Sequence, residues 1–101
     1  MLTRFVKLTF KTENIASFEQ IFDETHTKIR GFKGCTFLEL FQDTNTPEVF
    51  FTLSKWENET CLEAYRNSDL FKSTWKRTKA LFAEKPEAWS LTKKVGQTKS
   101  K

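Results

Sequence analysis

Residues 50 to 82 read FFTLSKWENETCLEAYRNSDLFKSTWKRTKALF, and this stretch decides the fold. It opens as an aromatic-rich, alternating run of strand type and breaks at Trp56. Asn58 then stands where a helix N-cap is wanted, ahead of a helix over 59–67 with Cys61, Leu62 and Tyr65 facing inward. Ser68 is a second N-cap, with Asp69 in the first turn of a helix over 69–82. Its apolar stripe is Phe71, Trp75, Thr78 and Phe82, and Pro86 ends the helical run. The stretch holds two of the three tryptophans, the single tyrosine and four of the eleven phenylalanines.

On the N-terminal side, Leu2, Arg4, Val6, Leu8 and Phe10 alternate with Thr3, Phe5, Lys7 and Thr9, a strand over 2–10. Asn14 is the expected N-cap of a helix to about Arg30, with Ile15, Phe18, Ile21, Phe22 and Ile29 as its stripe. Lys28 and Arg30 suit its C-terminal dipole, and Gly31 is expected in the left-handed position that follows. Cys35–Gln42 is a second strand, with Phe37 and Phe41 flanking Glu39 on one face and Leu38 and Leu40 on the other. The turn formers DTNTPE (43–48) join it to Val49–Trp56 as a hairpin. A last strand runs from Ala88 to about Val95, with Trp89 and Leu91 on one face.

The order β-α-β-β-α-β, with its second helix broken in two, is the ferredoxin-like α+β arrangement, an antiparallel sheet with helices on one face. The other face then carries Phe5, Phe37, Glu39 and Phe41, and an isolated monomer would expose them. A homodimer joined through this face is the expectation.

One domain over 1–95 accounts for the 101 residues, with a flexible basic tail over 96–101. The formal net charge of +4 equals the contribution of Lys93, Lys94, Lys99 and Lys101, so the body is neutral and nucleic acid is not an expected partner. An RNA-recognition domain shares the element order, but EVFFTLSKW (48–56) lacks that fold's stacking pattern. No run is long enough to cross a membrane, and MLTRFVKLTF (1–10) alternates instead of forming the apolar core of a signal peptide. The reading is a cytoplasmic protein with Cys35 and Cys61 as free thiols. One histidine and two distant cysteines make no metal site, and three scattered glycines make no phosphate loop, so no cofactor is expected.

Trp56, Asn58, Leu62, Tyr65, Ser68 and Phe71 together resemble the W-x-(S/N)-x-x-x-(L/F)-x-x-H-x-x-S-x-x-F signature of the antibiotic biosynthesis monooxygenases, a family of dimeric α+β barrels. Tyr65 stands where many members carry His. The haem-degrading branch differs at three key positions, occupied here by Val6, Tyr65 and Trp75, and Trp75 cannot ligate iron. The resemblance implies a cofactor-independent monooxygenase that takes electrons from its own substrate, a small aromatic or quinol-type molecule, and passes them to O₂. The alternative is a non-catalytic dimer of the same fold that binds a small apolar ligand. Under the first reading Ser54, Trp56, Tyr65, Phe71 and Trp75 would bind the ring. His26, Tyr65 and Arg66 are the catalytic candidates: His26 as the one side chain that ordinarily titrates near neutrality, Arg66 as a partner for a substrate oxyanion.

Overall fold

A computed structural model describes residues 1–96, and its elements follow the expected order. They are β1 (Leu2–Thr9), α1 (Ile15–Arg30), β2 (Cys35–Gln42), β3 (Val49–Trp56), α2 (Glu59–Arg66), α3 (Asp69–Lys79) and β4 (Glu87–Leu91), with a single 3₁₀ turn at Thr12–Asn14 before α1. The four strands form one sheet in the order β2-β3-β1-β4, antiparallel throughout. The chain therefore has the ferredoxin-like α+β fold, with its helices on one face of the sheet. Among the described residues no helix is long and apolar enough to cross a membrane. The basic tail expected beyond residue 95 lies almost wholly outside the described residues.

Directly paired residues on antiparallel strands share a face, so the register sorts the side chains. Leu2 pairs with Trp56, Arg4 with Ser54, Val6 with Thr52 and Leu8 with Phe50, and these point toward the helices. Leu38 and Leu40 extend that face across β2. Phe5 pairs with Leu53 and Trp89, and Phe41 with Phe51, on the opposite face. There Phe5 stacks on Phe51 at 5.2 Å and meets Trp89 at 6.2 Å, while Phe41, Trp89 and Leu91 are 41–46% exposed. The outer face thus carries an aromatic cluster, with Glu39 and Lys55 beside it.

The helix-covered interior is two clusters, not one. Leu8, Phe10, Phe18 and Phe50 form the first, with Phe10 and Phe18 stacked at 4.2 Å. Cys35, Trp56 and Leu62 form the second, at the other end of the sheet. A domain of this size ordinarily has one contiguous core. What separates the two clusters here is a cavity.

Several local expectations need correction. Asn14 precedes α1, but its side chain makes no cap; its amide donates to the Leu81 carbonyl at 3.3 Å instead, tying the start of α1 to the end of the α3 region. Gly31 follows α1 in a right-handed conformation (φ −82°), and the left-handed residue is Gly34 (φ 88°). A Cβ on Gly34 would stand 2.5 Å from Cys61 Sγ, so the turn into β2 needs glycine on both counts. The helix expected to reach residue 82 stops at Lys79, because Phe82 leaves it to bridge with Phe10. The last strand begins one residue earlier than expected and stops at Leu91.

Candidate active site

Two helix starts set the geometry. Asn58 Oδ1 accepts from the Cys61 amide at 2.9 Å and launches α2 directly off the end of β3. Ser68 works in both directions: its hydroxyl accepts from the Phe71 amide at 3.1 Å and donates to the Tyr65 carbonyl at 2.6 Å. The one side chain caps α3 and closes the end of α2. The break between the helices is therefore a fixed joint, and it holds Tyr65 and Trp75 on the same side of the sheet.

From that joint a chain of rings runs along the interior. Trp56 and Tyr65 stack at 5.0 Å, Tyr65 meets Phe71 edge-on at 5.2 Å, Phe71 stacks on Trp75 at 5.8 Å, and Trp75 meets Phe82 at 5.5 Å. Trp56 is almost fully buried, and its indole N–H donates to Ser54 Oγ at 3.0 Å. That bond occupies Ser54 as an acceptor and leaves its own proton for another partner.

Between the rings, α1 and the sheet lies a cavity of about 120 Å³. Arg4, Val6 and Leu8 of β1, Thr52, Ser54 and Trp56 of β3, and Leu38 of β2 form its floor. Phe18, Ile21, Phe22, Thr25 and Ile29 of α1 wall one side; Leu62, Tyr65 and Arg66 of α2 and Thr74, Trp75 and Thr78 of α3 close the other. Thr25 and Thr78 donate back to the Ile21 and Thr74 carbonyls at 2.8 Å, so their hydroxyls are already satisfied. The Tyr65 hydroxyl and the Trp75 indole N–H have no hydrogen-bond partner among the described residues, and both side chains line the space. A space of this order takes one aromatic ring; an apolar cavity of ~150 Å³ accommodates benzene.

Electrostatically the cavity is apolar along most of its walls, with Arg4 and Arg66 at one end. Burial pushes the Tyr65 hydroxyl well above its ordinary pKa, and Cys35 adds to the shift. Tyr65 is therefore a neutral donor near pH 7, not a phenolate base. Arg4 is held below its ordinary pKa, first by burial and then by Arg66, with Glu63 opposing. It lies opposite Ser54 and Ser90 in the register and donates to Ser90 Oγ at 2.9 Å. Arg66 is half-exposed and pairs with Glu63 at 3.3 Å.

Five of the residues singled out from the sequence meet at this cavity: Ser54, Trp56, Tyr65, Arg66 and Trp75. Phe71 does not line it; it stands behind, wedged between Tyr65 and Trp75. His26 is outside it. Its ring stacks on Phe22, its Nδ1 sits 3.1 Å from the Phe22 and Asp23 carbonyls, and it opens onto a shallow groove with Arg30, Phe37 and Glu39. The turn of helix that aims Phe22 and Thr25 inward carries His26 past the cavity. Glu39 is exposed on the outer sheet face with Phe37 and Phe41. Arg4 and the threonines of β3 and α3 were not singled out. Arg4 had a legible signal, since it alternates in phase with four apolar residues, and a charge on a core-facing position needs a partner. No group of three His, Cys, Asp or Glu converges among the described residues.

The model for the family described as antibiotic biosynthesis monooxygenase matches residues 1–77. Among solved structures, an antibiotic biosynthesis monooxygenase superposes with a TM-score of 0.87 at 19% identity, covering 92% of this chain and 98% of that one. A conserved protein from Methanosarcina mazei gives 0.87 at 23% identity over 93% and 94% of the two chains. Protein PA3566 from Pseudomonas aeruginosa gives 0.83 at 20% identity over 93% and 94%. At these identities the likeness is one of fold. No curated protein matches the sequence.

Proposed function

The chain belongs to the antibiotic biosynthesis monooxygenase family, and from that premise we propose that it oxidises a small phenol or hydroquinone with O₂, using no metal or flavin. The observation that carries this reading is the ring-sized cavity between two core clusters, walled by Trp56, Tyr65 and Trp75. The substrate supplies the electrons. Its hydroxyl loses a proton, and the anion passes one electron to O₂. The ring radical and superoxide then join through a new C–O bond at a ring carbon bearing hydrogen. Elimination of water breaks the O–O bond and leaves a carbonyl there. One oxygen atom ends in the product and one in water, and the ring is oxidised to the quinone level.

The protein's part is position and electrostatics. The rings of Trp56 and Trp75 hold the substrate plane, and the Tyr65 and Ser54 hydroxyls donate to its oxygen. The apolar walls exclude bulk water from the radical pair. Among the described residues, no carboxylate or imidazole lines the cavity. The substrate proton therefore leaves to water, and the positive end of the chamber favours the anion.

That missing base is also the observation favouring the second reading, a dimer that binds a small apolar molecule without turning it over. Oxygen uptake by the purified protein with a panel of hydroquinones separates the two. Uptake dependent on protein and substrate supports the oxygenase; tight binding with no uptake supports the second reading. In either case a second copy covers the exposed sheet face, a reading supported by the exposure of Phe41, Trp89 and Leu91 there.

A further inference from the structure

The inward face of the sheet is largely apolar, and the row through Arg4 carries its charge. Ser54 pairs with Arg4, Arg4 with Ser90, and Leu38 continues the row across β2. Arg4 thus sits in the middle of a polar band at the floor of the cavity, held by one hydrogen bond to a neutral hydroxyl. No carboxylate lies within ion-pairing distance of it among the described residues. Arg66 reaches the same cavity from α2 and is paired with Glu63. Arg4, Arg66 and Glu63 together leave one positive charge without a counter-ion.

We propose that the ligand of this cavity is a small aromatic carboxylate, its ring between Trp56, Tyr65 and Trp75 and its carboxylate held by Arg4 and Arg66. The inference rests on the reading that this cavity is the substrate site, and it adds the substrate class. Three features select a carboxylate. Its single negative charge matches the one unbalanced positive charge, where a phosphate dianion would overshoot and a neutral ring would leave it unmatched. Its two oxygens offer one acceptor to each guanidinium, where a phenolate has a single oxygen for both. Each guanidinium has five N–H donors, so Arg4 and Arg66 can keep their bonds to Ser90 and Glu63 and still bind the ligand. The repulsion from Arg66 that weakens the proton affinity of Arg4 is relieved by an anion between them.

The test is a tryptophan-fluorescence titration of the full chain with benzoate and with benzamide, which share a shape and differ in charge. Benzoate is expected to bind roughly tenfold more tightly or better. In Arg4→Gln the two affinities converge; in Arg66→Gln the preference for benzoate shrinks. Arg66 is half-exposed, so its variant keeps the proposal testable even where Arg4→Gln does not fold. Equal binding of the two compounds by the wild type, no binding of either, or a full preference in a folded variant overturns the inference. Oxygen uptake with 2,5-dihydroxybenzoate and with unsubstituted hydroquinone is measured on the same samples. Acid preference without uptake leaves the clamp standing and sinks the oxygenase. Uptake with no preference for the acid sinks the clamp alone.

Discussion

Replacing Val6 by Phe probes the cavity directly. Val6 lies on the inward face of β1 between Arg4 and Leu8, and its side chain forms part of the cavity floor. Unfilled interior space costs ~24 cal/mol per Å³, so a void of about 120 Å³ represents on the order of 3 kcal/mol of stability forgone. A phenyl ring in place of the isopropyl group fills about half of that space, which makes ~1–1.5 kcal/mol recoverable. Where no space exists, the same enlargement costs typically ~1–3 kcal/mol through strain. Val6→Phe is therefore expected to unfold in urea at or above the wild-type midpoint with an unchanged m-value. Binding of benzoate or hydroquinone, followed by tryptophan fluorescence, is expected to fall at least about tenfold, since a ring cannot share the space. A loss of about 3 kcal/mol in stability would mean that the space is not there. A stable variant with unchanged ligand affinity would mean that the space is not the site.

Three further outcomes follow from the same geometry. Tyr65 is the only tyrosine, and burial raises its pKa. Its folded state holds the proton above pH 10, where the unfolded chain releases it, so stability is intact below about pH 10 and falls above it by up to ~1.4 kcal/mol per pH unit. Tyr65→Phe removes that part of the slope; an ordinary tyrosinate absorbance titration in the folded protein would contradict the burial. Gly34→Ala forces a left-handed alanine against Cys61 and is expected to cost ~2–4 kcal/mol, read by thermal unfolding; a loss under ~1 kcal/mol would show that the turn into β2 can shift. Phe5→Asp places a charge among Phe51, Leu53 and Trp89, and sedimentation is expected to show a dimeric wild type and a monomeric or aggregated variant. A monomeric wild type at micromolar concentration would show that the face stays uncovered.

The parts of the fold that follow local rules were legible in the sequence. Period-two alternation placed β1, β2 and β3, and Asn58 and Ser68 announced both helix starts correctly, because a short polar side chain at those points has one low-energy use. Asn14 and Gly31 misled for a long-range reason. The Leu81 carbonyl draws the Asn14 amide away from its own helix, and the left-handed residue is Gly34, which packs against Cys61. Neither partner is near in sequence.

The site divides in the same way. Trp56, Tyr65 and Trp75 line one cavity, and their closeness was legible because one strand end and two consecutive helices carry them. Arg4 is about 60 residues from Arg66 in the chain, and only the β1–β3 register and the placement of α2 bring both to one cavity. His26 lies outside that cavity. An imidazole can act as a base, but Nδ1 faces the backbone of its own helix, and the helical turn that points Thr25 inward points His26 away.

The central claim is that this chain delivers O₂ to a ring held in the cavity. The most direct measurement is mass spectrometry of the product formed from 2,5-dihydroxybenzoate or hydroquinone under ¹⁸O₂, with purified protein and no added metal or flavin. The account predicts one labelled oxygen atom in the product and none taken from labelled water. A product with no ¹⁸O, or no product beyond the rate without protein, would contradict it.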